Sequence, residues 1–139
     1  MHLLDRKRRL CCWVAVLLLG VVVLIGTVPL FTKFVLFQMP GRSATFDCDD
    51  SALLMYSRFG ALGIEAVPII GNLKMTGETP QEIDHVWLLV RLGGLQMAFD
   101  WGMPYLDRQH YEGFPVSYSQ LVTYVMNDLD RAAAGIPTR

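Results

Sequence analysis

A thiol, an imidazole and a carboxylate follow one another along this chain at Cys48, His85 and Asp100. In that order they are the parts of a cysteine nucleophile, its base and the acid that orients the base. Cys48 lies in Phe46-Asp47-Cys48-Asp49-Asp50-Ser51, which reads as a helix start. Asp47 suits the N-cap, and Asp49 and Asp50 suit the first turn. Unpaired N–H groups and the positive end of the helix dipole would favour thiolate over thiol, and the thiolate is the nucleophile. His85 would share the thiol proton, Asp100 would hold the imidazole, and the Cys48 N–H would donate to a developing oxyanion. Asp49 and Asp50 oppose thiolate formation, an effect that stays small if their side chains cap the helix.

Two strand-like runs carry the other members. His85 opens His85-Val86-Trp87-Leu88-Leu89-Val90, and Asp100 closes Leu95-Gln96-Met97-Ala98-Phe99-Asp100. Gly93-Gly94 between them is a two-residue hairpin turn. With that turn Leu92 pairs with Leu95 and Trp87 faces Asp100. His85, two residues from Trp87, points to the same side of the sheet, so His85 and Asp100 become diagonal neighbours roughly 7–8 Å apart. A slip of one residue would put them on opposite faces. Val86, Leu88, Val90 and Leu92 then form the core face, and His85, Trp87, Leu89 and Arg91 the other.

The remaining elements follow from spacing. The Cys48 helix is expected to run to about Leu62, with Leu53, Tyr56 and Gly60 on one face and Ala52, Met55 and Phe59 beside it, and with Gly63 just past its end. Residues 65–71 read as a first strand, which Pro68 makes an edge or a bulged one. Residues 72–83 read as a loop, 84–92 and 95–101 as the second and third strands, and 102–116 as mostly loop. A last helix is expected from Ser117 or Ser119 to about Ala133, with Val122, Val125, Met126 and Leu129 as its apolar stripe.

Composition divides the 139 residues in two. Residues 10–31 carry no charge and are long enough for a transmembrane helix, which needs roughly 20 apolar residues. Residues 1–39 hold five Lys and Arg against one Asp, net +4, and residues 40–139 hold seven against twelve acids, net −5. The basic cluster Arg6-Lys7-Arg8-Arg9 precedes the apolar run, so the positive-inside rule keeps the N-terminus cytoplasmic and the domain outside. A cleaved signal peptide shares both parts, but its apolar segment is usually only about 7–15 residues and this one has no A-x-A-like site after it. The expected organisation is a basic segment 1–9, a transmembrane helix 10–31, a connector 32–45 broken at Pro40-Gly41, one small α+β domain 46–133 and a frayed tail 134–139. Membrane lipid around the helix is one expected partner. The acidic domain has no basic stripe for nucleic acid.

Of three cysteines, Cys48 alone falls in the exported part. It has no disulfide partner there and is either reactive or intermolecular. Cys11 and Cys12, at the cytoplasmic end of the apolar run, read as apolar filler or as acylation sites. Asp47, Asp49, Asp50 and His85 raise a metal, but position six after Asp47 is Ala52 rather than Gly and position twelve is Arg58 rather than Glu. The calcium-loop pattern therefore fails, and no second Cys supports zinc. No metal and no cofactor is expected. Trp87 and Trp101 flank the proposed site as core residues or as an aromatic wall over a thioester. Gln38 is a possible oxyanion donor by residue type, otherwise a membrane-interface residue. His110 reads as a surface loop residue.

The ordered string Asp47-Cys48-Asp49-Asp50-Ser51-Ala52-Leu53-Leu54, Leu62-Gly63-Ile64-Glu65-Ala66, His85-Val86-Trp87 and Phe99-Asp100 resembles the transglutaminase-like core, above all its microbial cysteine-peptidase branch. The resemblance spans residues 46–101. It implies a papain-like α+β core in which the Cys helix packs on an antiparallel sheet carrying His and Asp, with Cys48 as nucleophile, His85 as base and Asp100 as orienter. It also implies cleavage or transfer of peptide or isopeptide amides through a Cys thioester. Family enzymes usually have more chain before the cysteine, where this sequence has its apolar run. The other reading, from a different class, is a membrane-tethered binding or assembly module that keeps the fold without turnover.

Overall fold

The computed structural model describes residues 2–43, 46–73 and 85–134. The expected loop 72–83, from Lys74 on, and the tail from residue 135 lie outside them. Helix α1 spans His2–Phe31 and continues as a π-helical stretch, Thr32–Leu36. Pro29 lies inside α1 and has no N–H to give the preceding turn. The wider repeat follows it: the Phe37 N–H reaches the Thr32 carbonyl at 2.9 Å, and the Thr32 hydroxyl donates to the Pro29 carbonyl at 2.9 Å. The segment Cys11–Leu36 is long and apolar enough to cross a membrane, and its apolar window adds nothing to the protein interior.

The segment expected as a connector is part of the core. Phe37 is fully buried, and Thr32 and Met39 nearly so. Phe37, Phe59 and Phe99 meet edge to face, with ring centres 5.0–6.0 Å apart. The chain turns at Gln38, whose φ is +50°, two residues before the expected break at Pro40.

Helix α2 spans Cys48–Ala61. Asp47 and Asp50 form a reciprocal capping box at its start. At its end the Ile64 N–H bonds the Phe59 carbonyl and the Gly63 N–H the Gly60 carbonyl, a Schellman motif around left-handed Gly63. Ala52, Met55 and Phe59 are its buried stripe, Leu53 and Tyr56 flank it half-buried, and Gly60 is exposed. The face turned to the core is thus the one expected beside the main stripe.

Five antiparallel strands follow: β1 Glu65–Gly71, β2 His85–Leu92, β3 Leu95–Asp100, β4 Met103–Tyr105 and β5 Phe114–Pro115, in the order β4-β3-β2-β1-β5. Leu92 pairs with Leu95 and Leu88 with Phe99, the expected register. Val86, Leu88, Val90 and Phe99 pack against α2, while Trp87, Leu89, Ala98 and Ile69 form a smaller cluster on the other face with Tyr105 and Tyr111. Two short strands stand where loop was expected. Trp101-Gly102, both at positive φ, form a second tight turn that ends β3 at Asp100 and starts β4.

Strand β1 lies second from the edge. Pro68 is opposite Leu88, and its carbonyl accepts from the Val116 N–H at 2.9 Å. N–H and C=O of one residue point to the same side of an antiparallel strand, so the missing N–H of Pro68 faces the two-residue β5, where little pairing is lost. Helix α3, Tyr118–Ala133, is capped by Ser117, whose hydroxyl and N–H exchange hydrogen bonds with Gln120. Leu121 and Val125 are buried, but Met126 and Leu129 of the expected stripe are exposed. The helix rests on α2 by one edge, with Tyr118 stacked on Tyr56 at 5.2 Å.

Gly113 closes the β5 edge at a φ of +128°, and a Cβ there would stand 2.7 Å from Ile69 Cγ2 and 2.8 Å from the Ile70 carbonyl oxygen. Gly94, with φ +93°, has nothing within 4 Å of that position. Gly113→Ala is therefore expected to lower the unfolding free energy by about 2–4 kcal/mol and Gly94→Ala by about 1 kcal/mol. Denaturant titration of the detergent-solubilised chain, followed by tryptophan fluorescence, separates them. Equal losses would mean that the β5 contact is not close-packed.

Candidate functional site

Each of the three chemistry-bearing residues sits at the end of an element. Cys48 is the first residue of α2, His85 the first of β2 and Asp100 the last of β3. Helix α2 packs on the Val86 face, yet its start reaches round the end of the sheet. The Cys48 side chain lies close enough to the His85 imidazole to help raise its pKa. The structure thus joins the helix to the two strands, the one link that hairpin register alone does not supply.

His85 Nε2 lies 2.8 Å from Asp100 Oδ2. A carboxylate only accepts, so Nε2 carries the hydrogen, and Nδ1 is the ring nitrogen left for Cys48. Cys48 is half-buried, the His85 side chain is 18% exposed and that of Asp100 only 8%. The cysteine and imidazole end is therefore the more open one and the carboxylate end the more buried. The indole of Trp87 stacks beside the His85 ring at 5.9 Å.

Burial by itself would lower the His85 pKa. Hydrogen bonds to Asp100 and then Cys48, with the attraction of both, outweigh it and raise the pKa to about 10. The surroundings thus hold an imidazolium. Against this, Asp47, Cys48 and Asp49 each bring one ligand-type atom within 4.8 Å of the others, so two carboxylates stand near the sulfur. They gather there because of the helix cap: Asp47 Oδ1 accepts the Asp49 N–H at 3.3 Å, and Asp50 accepts the Asp47 N–H at 3.2 Å. The acids beside the sulfur are thus Asp47 and Asp49, where Asp49 and Asp50 were expected.

The flanking tryptophans differ. Trp87 has no exposed surface, and its indole N–H donates to the His110 carbonyl at 2.7 Å. It braces His85 from within the fold and cannot wall a substrate. Trp101 is half-buried, meets Phe46 edge-on at 5.9 Å and has a φ of +48°. A bulky side chain in that region costs on the order of 1–3 kcal/mol, and this strain sits directly after Asp100. Gln38 is exposed on its turn.

His110 is the residue sequence reasoning missed. Only 5% exposed, it belongs to a 3-10 turn, Arg108–Tyr111, that lies over the Trp87 face. Its ring contacts Asp107, and Nε2 points toward Asp100 at 3.6 Å. The available signal was Asp107-Arg108-Gln109-His110, an acid at a cap position three residues before a histidine. Compared with known proteins, the chain matches no family model, no curated protein and no solved structure.

A histidine whose folded-state pKa exceeds its ordinary 6.5 stabilises the fold fully below 6.5, and that contribution is lost as pH rises through the folded-state value. The full chain is expected to lose stability steadily between pH 6.5 and about 10, read as a falling Tm. His85→Gln should flatten this slope by lowering Tm on the acid side, while leaving the alkaline side little changed. Parallel slopes in the two proteins would assign the effect to other groups.

Proposed function

We propose that this protein is a membrane-anchored cysteine acyl-transfer enzyme of transglutaminase-like type, with a papain-like arrangement of helix and sheet. Its domain faces away from the cytoplasm, and its substrates are peptide or isopeptide amides. The observation that carries the reading is the succession of Cys48, His85 and Asp100, with the imidazole bonded to Asp100 and influenced by Cys48, and with the carboxylate end buried. Cys48 and His85 are the catalytic residues, and Asp100 positions the imidazole.

The chemistry closes without a cofactor. The Cys48 thiolate attacks the amide carbonyl carbon, and the oxyanion takes a hydrogen bond from the Cys48 N–H. The proton on His85 Nδ1 passes to the amine nitrogen as the C–N bond breaks, leaving a thioester and a neutral imidazole. Water, or a second amine, gives its proton to His85 as it attacks the thioester. Collapse releases acid or new amide and restores thiolate and imidazolium. Trp101 is the candidate wall beside the acyl group.

The substrate class follows from where the site is mounted. Gly102, two residues past Asp100, lies so close to the apolar helix that a Cβ on it would stand 3.0 Å from Lys33 Cα. The triad is thereby held at the end of the membrane-crossing segment. Amides presented at the bilayer surface, on surface proteins or cell-wall peptides, are the natural substrates.

Asp47 and Asp49 beside the sulfur favour a second reading, a tethered assembly module without turnover. Iodoacetamide decides between them. On the full chain in detergent, with modification of the Cys48 peptide read by mass spectrometry apart from Cys11 and Cys12, the wild type should react at about pH 6.5 at least ~10-fold faster than His85→Ala. Equal rates would sink the enzyme reading.

A further inference from the structure

The proposed mechanism uses one histidine, yet a second one is clamped behind the same carboxylate. His110 Nδ1 lies 2.8 Å from both oxygens of Asp107, and its backbone N–H donates to Asp107 Oδ1 at 3.2 Å. Tyr105 stacks on the ring at 4.2 Å and 16°, and Trp87 meets it edge-on at 6.0 Å. The His110 carbonyl takes the Trp87 indole N–H, and Trp87 also stacks on His85. One indole thus ties both imidazoles to the same strand. What the clamp aims is Nε2, 3.6 Å from Asp100 Oδ2.

Two buried atoms here lack a hydrogen-bond partner among the described residues, His110 Nε2 and Asp100 Oδ1. A buried carboxylate is costly unless its charge is met, and His85 meets it on one side only. We propose that His110 is a positioning residue for the triad, held by Asp107 and aimed as a second brace at Asp100 Oδ2, the oxygen that His85 also holds. Hydrogen bonds from the His110 ring and backbone, working against slight burial, hold the Asp107 carboxyl below its usual range. It is therefore an acceptor, and His110 Nδ1 carries a hydrogen. A bare Nε2 would then turn a lone pair on Asp100, whereas a protonated Nε2 attracts it. The gap closes with a shift of about half an ångström or with one bridging water.

The groups facing His110 are Asp107 on its own turn, Asp100 from β3, Tyr105 from β4, and Trp87 and, beyond Asp100, His85 from β2. Burial, then Asp100 and Asp107, raises the Tyr105 phenol above its ordinary value, so that hydroxyl stays neutral. Cys48, His85, Asp100, His110 and Asp107 form one row in which imidazoles alternate with acidic groups. Losing His110 leaves Asp100 with one brace and an unmet charge, and His85 then holds its proton less firmly.

The inference rests on the Cys48–His85 reading, and the same alkylation assay distinguishes the two. In the full chain, His110→Ala should slow iodoacetamide modification of Cys48 about 10-fold at about pH 6.5 and leave the rate unchanged at about pH 10, where thiolate forms unaided. A loss of packing alone would change both rates or neither. Asp107→Asn, at a side chain 44% exposed, should move the profile the same way by a smaller factor, and it decides the matter if His110→Ala does not fold. A His110→Ala profile that superimposes on wild type while His85→Ala is shifted overturns this inference alone. So does a faster rate at about pH 6.5, the result expected if His110 competed with His85 for Asp100. Wild-type behaviour in both His85→Ala and His110→Ala overturns the catalytic reading as well.

Discussion

The register of β2 against β3 decides where every side chain around Asp100 points. Gly93 and Gly94, both at positive φ, make a two-residue turn whose twist matches that of the strands it joins. From there the pairing runs to Leu88 opposite Phe99, and the side-chain period of two does the rest. The face that carries Val86, Leu88 and Phe99 receives α2 and becomes the larger core. The face that carries His85, Trp87, Ala98 and Asp100 is left for smaller, polar contacts. A single inserted residue would exchange the two faces, burying His85 under α2 and exposing the Leu88 row. Core packing and site geometry are therefore one constraint, enforced by the same apolar side chains.

Charge placement around that face follows from burial. Asp100 is nearly sealed, so a negative charge there must be met locally, and two imidazoles converge on its Oδ2. Asp107 in turn faces the outer histidine. Acid and base thus alternate from the half-buried Cys48 to the exposed Asp107 carboxylate, and no like-charged pair has to be adjacent within the row. The carboxylates at the start of α2 are the one departure. They serve the helix cap, which supplies partners for first-turn N–H groups. The cap needs acids where a thiolate would rather have none, and the imidazolium of His85 is the local charge that balances them.

Cys48, His85 and Asp100 were legible in the sequence because their signals are local: a capped helix start, a strand beginning and a strand end across a glycine turn. The second turn was not, although it uses the same device. Trp101 occupies a left-handed position that local propensity assigns to glycine or asparagine, so the strand was read one residue too long and β4 was not seen. With β4 missed, nothing carried the following turn back over the Trp87 face, and His110 read as a surface residue. The stripes of α2 and α3 were misjudged for a related reason. A helical period gives the spacing of apolar residues, while the partner selects which row is buried, and α3 has only the edge of α2 to rest on.

The junction between the apolar helix and the domain shows why the boundary between them was drawn too late in the chain. An apolar run predicts a helix that ends where the apolar residues end, with a neutral linker beyond. Instead the π-helical stretch turns the last residues inward, and Phe37 and Met39 enter the same core as Met55, Phe59 and Phe99. The Gly102 N–H donates to Met55 Sδ at 3.3 Å while its α-carbon faces Lys33. The strained turn after Asp100 is thus gripped between α2 and the end of the long helix. A hinge there would let that turn relax and Asp100 move. The contacts of Gly102 with Met55 and Lys33 thus help to hold the carboxylate in place.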